Sequence, residues 1–418
     1  MERTSDVVVI GGGVIGLFCA HFLQLQGAQV TVLDAGEMGH GSSLHNAGYV
    51  SPSHFVPLAS PGIIAQGLRW MLNPVSPFYI KPRFDADLLA WALRFRASCT
   101  ERHVRRSVTL LRDLGSESLR LFTSLTGPGG LECEFTPHGL LILFRTGRGE
   151  HACREEDALA REIGVASQLL TREQIQTMNP ENAIRATGGL YFPDDCHLTP
   201  AKLVSVLAQD LERRGVQLLA GRAVSRLEIG GNRIIAAVTD RGAVRGREFV
   251  LAAGSWSPLL ARSLRLRLLV QAGKGYSVTI PRMTGKPALP MILQEARVAI
   301  TPMPLTLRVA GTMEIAGVDL SITRRRVDAI LQALPEYLGG LEPSDFEHGE
   351  VWAGLRPVTP DGIPYIGRFR DWSNLIAATG HAMVGVTLAP VTGAIVADLV
   401  AGRNPAYEMS MLSPDRFS

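Results

Sequence analysis

Residues 6–34, DVVVIGGGVIGLFCAHFLQLQGAQVTVLD, decide the fold of this chain. An apolar run leads into three consecutive glycines, a helix-like pattern follows, and a second apolar run ends at Asp34. Strand, tight turn, helix, strand and carboxylate in this order are typical of a dinucleotide-binding unit. Gly11 allows the turn, Gly13 lets a pyrophosphate approach the backbone, and Gly16 lets the helix pack on the strands. The first helix amides hold phosphate charge, and Asp34 is placed to accept hydrogen bonds from a ribose.

The composition is that of a globular chain with more than one core. Its 418 residues, 46% hydrophobic and 19% charged, predict about two or three domains. The net charge of +3 is too small to indicate a nucleic-acid partner. Five scattered cysteines without zinc-ligand spacing predict neither a metal site nor a disulfide framework, and favour the reducing cytoplasm. The sequence contains no apolar run of about 20 residues, so no membrane-spanning helix is predicted. Peripheral contact with the inner face of the membrane stays open.

Small residues dominate the segment after the second predicted strand. Residues 39–43 read GHGSS and residues 46–49 read NAGY, and small side chains suit a backbone threaded beside a flat ligand. An ordinary surface loop is the alternative interpretation. Further along, a buried run at 248–253 ends in Gly254, which again lets the backbone approach a ligand.

An apolar segment and a basic segment come next. Residues 52–82 are rich in proline, glycine and apolar side chains, and long loops of this kind tend to cover a site or dock on a partner. Residues 85–122 show helical spacing of apolar side chains. A solvated helix face explains the arginines there, and contact with anionic lipid headgroups is the alternative. These arginines are Arg94, Arg96, Arg102, Arg105, Arg106 and Arg112.

The rest of the chain predicts further alternation of strands and helices. Residues 197–253 return to the rhythm of a nucleotide-binding domain, with a helix that starts at Thr199-Pro200 and a hairpin around residues 230–232. Residues 263–350 resemble sheet with turns, residues 351–368 are predicted to be loop-rich, and a last helix is predicted from about residue 390 to 400.

Six motifs in a fixed order give a resemblance to a known family. They are DVVVIGGGVIGL (6–17), NAGYVSP (46–52), LAAGSWSP (251–258), KGYSV (274–278), GLRPVTPDGIPYIG (354–367) and TGHAMVGVTLAPVTG (379–393). Together they resemble the glycine oxidase and D-amino-acid dehydrogenase branch of the D-amino-acid oxidase superfamily, across the whole chain. The resemblance implies an α/β plus α+β architecture. A discontinuous Rossmann-like FAD-binding domain (1–85, 195–262 and 351–418) is joined to a substrate-binding domain with a mainly antiparallel sheet plus helices (86–194 and 263–350).

The resemblance also implies where FAD lies. The glycine turn would hold the pyrophosphate, Asp34 the adenosine ribose, and the stretch from Gly380 to Thr387 would bring amides to the pyrimidine side of the flavin, where they stabilise negative charge. Many relatives have glutamate where this chain has Asp34. The residues implied to bind FAD are Gly11, Gly13, Val14, Ile15, Gly16, Asp34, Ser42, Ser43, Asn46, Ala47, Gly48, Val224, Gly254, Gly380, His381, Met383, Val384, Gly385, Val386 and Thr387.

Three residues are implied on the substrate side. Arg356 matches the arginine that grips the substrate carboxylate, for which a planar guanidinium offers two parallel hydrogen bonds. Tyr276 resembles the tyrosine whose hydroxyl adds a second carboxylate contact. Tyr49 matches a position at the pocket or its lid, with a packed loop aromatic as the alternative, and His54 is a weaker candidate at the mouth. His381 is interpreted as structural rather than as a base.

One departure from glycine oxidases favours the dehydrogenase-like branch. Those enzymes read HFRNG near the flavin, whereas residues 381–385 read HAMVG, so that Met383 replaces a second arginine. The dehydrogenase-like branch includes D-proline and D-hydroxyproline dehydrogenases. No cysteine lies near the flavin motifs of the carboxy-terminal part, so FAD is predicted to be bound non-covalently.

The sequence therefore predicts an FAD-dependent amino-acid oxidoreductase. The predicted reaction passes a hydride from Cα of a D-amino or imino acid to flavin N5, and electrons then go to a quinone or another respiratory carrier. The alternatives are a dehydrogenase specific for D-proline or cis-4-hydroxy-D-proline, and a glycine- or sarcosine-type oxidase that uses oxygen. An NAD-dependent dehydrogenase and a non-catalytic flavin subunit are more distant alternatives.

Overall fold

The computed structural model describes residues 4–71, 73, 75–283 and 285–418. The strands are β1 (Ser5–Ile10), β2 (Val30–Leu33), β3 (Tyr49–Val50), β4 (Phe78–Ile80), β5 (Leu140–Phe144), β6 (Gln168–Thr171), β7 (Gly188–Phe192), β8 (Cys196–His197), β9 (Gln217–Leu219), β10 (Val224–Gly230), β11 (Arg233–Thr239), β12 (Gly242–Leu251), β13 (Gln271–Pro281), β14 (Met291–Leu293), β15 (Val298–Pro302), β16 (Thr306–Ile315), β17 (Glu350–Val358), β18 (Tyr365–Arg368) and β19 (Leu375–Thr379).

Helices connect and cover these strands. They are α1 (Val14–Leu25), α2 (Ile63–Met71), α3 (Ala86–Ser98), α4 (Glu101–Leu125), α5 (Gly147–Glu162), α6 (Arg172–Met178), α7 (Pro200–Arg213), α8 (Ser257–Ser263), α9 (Arg324–Gln332), α10 (Leu334–Tyr337), α11 (Ala389–Val400) and α12 (Met409–Leu412). Within the described residues, no helix has both the length and the apolar character needed to cross a bilayer.

The first sheet is built on parallel strands. Its order is β18-β19-β12-β1-β2-β9, and the β10–β11 hairpin extends from the start of β12. Val7–Ile10 of β1 are almost fully buried, which explains their unbroken apolar run. Helices α1 and α11 pack closely on one face, and Phe122 of α4 meets Phe18 of α1 edge to face at 5.6 Å. This confirms the predicted Rossmann-like domain.

The second sheet is mainly antiparallel, as predicted. Its order is β17-β13-β16-β15-β14-β5-β7-β6, with β4 added beside the end of β16. Six directly paired residues cross this sheet in one row, so their side chains share a face. The row is Trp352, Ser277, Ala310, Ala299, Ile292 and Ile142. We call this face the inner face, because all six residues border the same large cavity.

The structure differs from the sequence expectations in three segments. Residues 351–358, predicted to be loop-rich, belong to β17 at the edge of the second sheet. The segment 52–82, predicted as a long loop, contains α2 and β4. Both β4 and β17 therefore lie in the second sheet, whereas the predicted boundaries place them with the first. The predicted helix at 85–122 is two helices, α3 and α4, separated at Cys99-Thr100.

Candidate functional site

A cavity of about 1450 Å³ is lined by residues of both sheets. Small-molecule sites usually have volumes of about 300–1,000 Å³, so this cavity has room for a ligand larger than a typical metabolite. It extends from the glycine turn to the inner face of the second sheet. Nearly all residues implied to bind FAD line it. The exceptions are Gly16, Gly48 and Gly380.

These glycines and Gly11 lie where the backbone packs so closely on neighbouring atoms that a side chain would clash. Gly11 has φ +111°, and a Cβ there would lie 2.4 Å from the Ala252 carbonyl oxygen. A Cβ on Gly16 would lie 1.8 Å from the Gly11 carbonyl oxygen, so α1 sits directly against the turn. Gly380 has φ +84°, and its Cβ would meet the Thr359 side chain at 2.5 Å. The backbone at the cavity wall thus takes a path that only glycine permits.

Asp34 braces the glycine turn. Its Oδ2 accepts a hydrogen bond from the amide of Gly12 at 2.7 Å, and its Oδ1 accepts one from the amide of Gly36 at 2.8 Å. A carboxylate oxygen can accept more than one hydrogen bond, so the carboxylate can still accept from a ribose hydroxyl. The ribose contact stays a prediction.

Ser42 and Ser43 already have partners within the protein. The Ser43 hydroxyl accepts from the amide of Val14 at 3.0 Å, at the first turn of α1. The Ser42 hydroxyl donates to the carbonyl of Leu355 at 2.8 Å. The Ser43 hydroxyl lies at the positive end of α1, where a phosphate would be stabilised.

The segment 44–49 is fastened to the second sheet by side chains that the sequence did not single out. The buried Arg308 donates from Nη1 to the carbonyls of Leu44 at 3.0 Å and Asn46 at 2.9 Å. The hydroxyl of Thr301 donates to the carbonyl of Ala47 at 2.7 Å. No local motif marks these two residues, because their partners lie more than 250 positions away in sequence.

Tyr49 completes this attachment, which corrects its predicted place among the catalytic residues. Its hydroxyl donates to the carbonyl of Met291 at 2.7 Å and accepts from the amide of Ile300 at 3.0 Å. Burial raises the pKa of the hydroxyl above its usual value. Tyr49 borders the cavity, but its polar group is held by β14 and β15 and is not free for a substrate.

Arg356 projects from β17 on the inner face of the second sheet. Its Nη1 donates to the carbonyl of Thr312 at 2.8 Å, and within the described part of the chain no carboxylate lies within 4 Å of it. The guanidinium lies across Gly275, where a Cβ would be only 1.9 Å from Nη1. Burial lowers the pKa of Arg356 to about 10, so the group stays protonated at neutral pH. A half-buried cation with unused N–H donors therefore faces the cavity.

The Tyr276 side chain projects from the opposite face of the same sheet to that of Arg356, although the residue also borders the cavity. Its contact with the substrate stays a prediction. In the antiparallel pairing of β13 with β17, Gly275 is opposite Gly354 and Tyr276 is opposite Ala353, so Tyr276 and Arg356 point to different faces. The Tyr276 ring is buried in an apolar cluster with Val278. Its hydroxyl donates to Glu314 Oε1 at 2.6 Å.

The loop from Gly380 to Thr387 runs along the cavity and leads into α11. His381 lies 2.9 Å from the Thr392 hydroxyl, and burial lowers the pKa of its imidazole to about 3. It is therefore neutral at physiological pH, in agreement with its interpretation as a structural residue. Thr387 joins this loop to the first segment, because its hydroxyl donates to the Tyr49 carbonyl and accepts from the Ser51 amide. Met383 borders the cavity and is 47% exposed.

Four cavity-lining side chains have a buried polar atom without a hydrogen-bond partner in the described residues. They are Ser277 Oγ, Ser51 Oγ, His45 Nδ1 and His54 Nδ1. Burial lowers the pKa of His54 to about 4, so it is a neutral imidazole. His45 stacks on Trp352 at 4.9 Å. Buried polar atoms are normally paired, so a polar ligand in the cavity would supply partners for these four atoms.

His381 at the cavity wall and Asp195, which is hydrogen-bonded to the cavity-lining Ser53, predict opposing effects of pH on stability. His381 is protonated first in the unfolded chain, so its contribution to stability falls as the pH drops below 6.5. Asp195, which accepts from the Ser53 hydroxyl at 2.5 Å, has a pKa raised to about 7 by burial, so its contribution rises as the pH falls below 7.

The free energy of unfolding, measured with denaturant at neutral pH and again two pH units lower, reports both effects. Relative to the unmodified protein, His381→Gln is expected to lose about 2 kcal/mol less on acidification, and Asp195→Asn about 2 kcal/mol more. Equal pH dependence in all three proteins would contradict these assignments.

Comparison with known proteins places the chain in a family. The profile of the family described as FAD dependent oxidoreductase (DAO) matches residues 6–399. A D-amino acid dehydrogenase of Paramagnetospirillum magneticum is 35% identical over 426 residues, covering 99% of each chain. A D-amino acid dehydrogenase of Rhizorhabdus wittichii is 34% identical, covering 98% of this chain and all of the relative.

Solved structures share the fold. Glycine oxidase from Geobacillus kaustophilus superposes with a TM-score of 0.79 at 23% identity, covering 98% of each chain. L-proline dehydrogenase from P. horikoshii superposes with a TM-score of 0.77 at 19% identity, covering all of this chain and 98% of the other. The wide cavity, its glycine turn and its unpaired polar atoms fit the cofactor that the family name states. The chain thus belongs to the DAO family of FAD-dependent oxidoreductases.

Proposed function

We propose that this protein oxidises a D-amino or imino acid and that Arg356 binds the substrate carboxylate. The observation that carries the proposal is the half-buried, protonated guanidinium at the cavity wall, which uses one N–H group on Thr312 and has no carboxylate partner in the described residues. An anionic partner would offset the partial desolvation of this cation, and a carboxylate matches the guanidinium with two parallel bonds. The two relatives named above, both D-amino acid dehydrogenases, support the choice of substrate class.

The glycine turn, the segment 42–48 and the loop 380–387 would hold FAD along the cavity. The amides at the start of α1 would stabilise the pyrophosphate, together with the hydroxyl of Ser43. Asp34 would accept from the ribose, and Val224 and Gly254 would border the adenosine half. The neutral His381 adds no charge beside the flavin, so the amides before α11 would supply the positive potential there.

The residues of this chain would orient the substrate and exclude water from the cavity. Bound FAD supplies a hydride acceptor for the substrate Cα–H bond, and the imino acid product is then hydrolysed or, for a secondary amine, released as a cyclic imine. Arg356 fixes the carboxylate and therefore the position of Cα. Because Tyr276 is turned away, the second contact to the carboxylate falls to the inner face, where Ser277 presents its unpaired hydroxyl.

We propose further that electrons leave to a quinone or another carrier and not to oxygen. The names of the two relatives support this choice. The apolar wall of the cavity at α2 and β4 also favours a poorly water-soluble acceptor.

Anaerobic mixing of the purified yellow protein with candidate substrates tests the function. Bleaching of the flavin absorbance is expected with D-amino acids or D-proline isomers and not with their L-enantiomers. Reoxidation is expected to be faster with a soluble quinone analogue than with air. Bleaching by L-acids only would refute the stereochemical assignment, and rapid peroxide formation would refute the assignment of the acceptor.

A further inference from the structure

A turn at residues 51–54, which we call the polar turn, lies beside the candidate substrate site. One end of it is fixed to Thr387, whose hydroxyl accepts from the Ser51 amide at 3.2 Å. Beyond the other end, Leu58 packs against the apolar cluster that contains Val358, the last residue of β17. Thr387 belongs to the segment implied to border the flavin, and β17 carries Arg356. The polar turn is therefore placed between the expected flavin and the candidate carboxylate site.

The polar turn presents hydrogen-bonding groups to the cavity. The hydroxyl of Ser51 and Nδ1 of His54 have no partner in the described residues, and both residues line the cavity. Ser53 lines the cavity between them, and its hydroxyl donates to Asp195 Oδ2 at 2.5 Å. The Ser53 amide donates to Asp195 Oδ1 at 3.2 Å. A carboxyl group thus lies directly behind the cavity wall, joined to it by one hydroxyl.

Asp195 is almost completely buried and has no ion-pair partner among the described residues. Burial raises its pKa to about 7, so the carboxyl group can take up and release a proton near neutral pH. The titratable groups that face it from neighbouring elements carry no positive charge in the described part of the chain. They are Asp194, Cys196, Tyr49 and Tyr191.

A second cavity, of about 400 Å³, borders Asp195. Its wall includes Arg112, Ser116 and Thr123 of α4, together with Asp194. Ser116, Thr123 and Asp194 are exposed, so this cavity reaches the protein surface. Its size and polar lining suit water. Because Ser53 lines the first cavity and Asp195 the second, this hydrogen-bonded pair connects the two.

The proposed reaction has one proton to dispose of in each turnover. An amino acid at neutral pH carries an ammonium group, and its nitrogen must lose a proton before its lone pair can form the C=N bond. The hydrogen on Cα leaves as hydride, so the ammonium proton is left over. A substrate site from which water is excluded needs a route for this proton.

We propose that Ser53 and Asp195 carry the ammonium proton of the substrate to the second cavity. The inference rests on the proposed function. Ser51 and His54 would hold the ammonium group. Its N–H bond breaks as the proton passes to the Ser53 oxygen, while the Ser53 O–H proton passes to Asp195. The lone pair left on nitrogen forms the C=N bond, and Asp195 releases its proton to water in the second cavity. Rotation of the Ser53 hydroxyl then restores the starting hydrogen bond, and no co-reactant is consumed.

The rate of flavin bleaching by a D-amino acid, followed by anaerobic stopped-flow mixing at several pH values, tests the proposal. Asp195→Asn and Ser53→Ala are each expected to lower this rate at least about tenfold at neutral pH. Above the pKa of the substrate amino group, the substrate arrives as the neutral amine, so both variants are expected to match the unmodified protein. Ser53→Ala keeps the amide bond to Asp195 and therefore removes the relay without detaching the turn.

Asp157→Asn is the matched control. Asp157 is also buried and accepts from a serine, Ser167, at 2.7 Å, but it pairs with Arg161 and lines neither cavity. This variant is expected to bleach at the rate of the unmodified protein at every pH. An equal loss in Asp157→Asn would overturn the proposal. So would a defect of Asp195→Asn and Ser53→Ala that persists at high pH, because it would assign the pair a structural role.

Infrared spectroscopy of the FAD-loaded protein tests the relay without turnover. The band of a protonated carboxyl group that Asp195→Asn removes is expected one pH unit below 7 and is expected to be lost one unit above. The same band is expected to shift promptly in D₂O, because Asp195 exchanges its proton with solvent through the second cavity. A band that responds to neither change would overturn the relay.

The two proposals fail in different ways. Normal bleaching by D-amino acids in the unmodified protein, with no defect in Asp195→Asn or Ser53→Ala at neutral pH, would refute the relay alone. An unmodified, FAD-loaded protein that no amino acid bleaches at any pH would refute the proposed function and the relay with it.

Discussion

Arg356→Ala is expected to lower kcat/KM for an amino acid substrate by about 10²- to 10³-fold, mainly through KM. The reason is the loss of the charge-assisted contact with the carboxylate that the proposed function assigns to Arg356. The fold should survive, because among the described residues the guanidinium donates only to the Thr312 carbonyl. Steady-state kinetics with the best substrate of the screen measures the effect, and retained flavin absorbance serves as its control.

Gly275→Ala is the matched variant for this prediction. The new methyl group would lie 1.9 Å from Arg356 Nη1, so the flexible end of the arginine must move. Gly275 lies within β13 with no positive φ, so the backbone accepts alanine. A loss of at least about tenfold in kcat/KM with normal flavin content is expected. Normal turnover of amino acids by Arg356→Ala, or loss of flavin instead of activity, would show that Arg356 has another role.

Gly11→Ala is expected to remove FAD binding and to lower the free energy of unfolding by roughly 3–5 kcal/mol. Gly11 has φ +111°, and its Cβ would lie 2.4 Å from the backbone oxygen of Ala252. Backbone cannot yield as a side-chain tip does, so β1 and β12 would separate at the point where the cofactor's phosphates are expected.

Gly27→Ala separates the strain of a positive φ from the steric clash of the added Cβ, the two causes of the loss of stability expected for Gly11→Ala. Gly27 also has a positive φ, +84°, but a Cβ added there would meet no atom within 4 Å beyond its chain neighbours. This variant is expected to cost only about 1 kcal/mol and to retain FAD. Denaturant unfolding and flavin content measure both variants, and equal behaviour of the two would mean that the contact with Ala252 is unimportant.

The first sheet was predictable because its signals are local. Its signals lie within about thirty residues: the apolar run of β1, the glycine turn and the acid after β2. Each of them indicates the local structure without any contact to distant residues. Helix α7 begins at Pro200 as predicted. Its cap differs in detail, since the Thr199 hydroxyl donates to Glu134 and accepts no hydrogen bond from the helix amides.

The strand that carries Arg356 was missed for an identifiable reason. Glycine and proline around Arg356 indicate a loop when read locally. In the structure β17 is an edge strand, where Pro357 is tolerated because one side of the strand needs no partner. Only pairing with β13, some eighty residues earlier in the chain, makes this segment a strand.

The orientation of Tyr276 and the importance of Arg308 could not be predicted from the sequence for a second, shared reason. Alternation along β13 separates Tyr276 from Gly275, but nothing in the sequence states which of the two faces Arg356. Likewise, Arg308 lies in an ordinary strand, and its importance follows from carbonyls of the segment 44–46. The strand register decides the face on which Tyr276 lies, and a tertiary contact decides the role of Arg308.

The attachment of residues 44–49 has a consequence for protein engineering. Arg308, Thr301 and Tyr49 join the wall of the expected flavin site to the very strands whose inner face shapes the substrate pocket. Strands β14–β16 transplanted from a relative to change substrate preference would sever these bonds unless the segment 44–49 came with them. Residues 44–49 and strands β14–β16 should therefore be exchanged together when relatives are recombined.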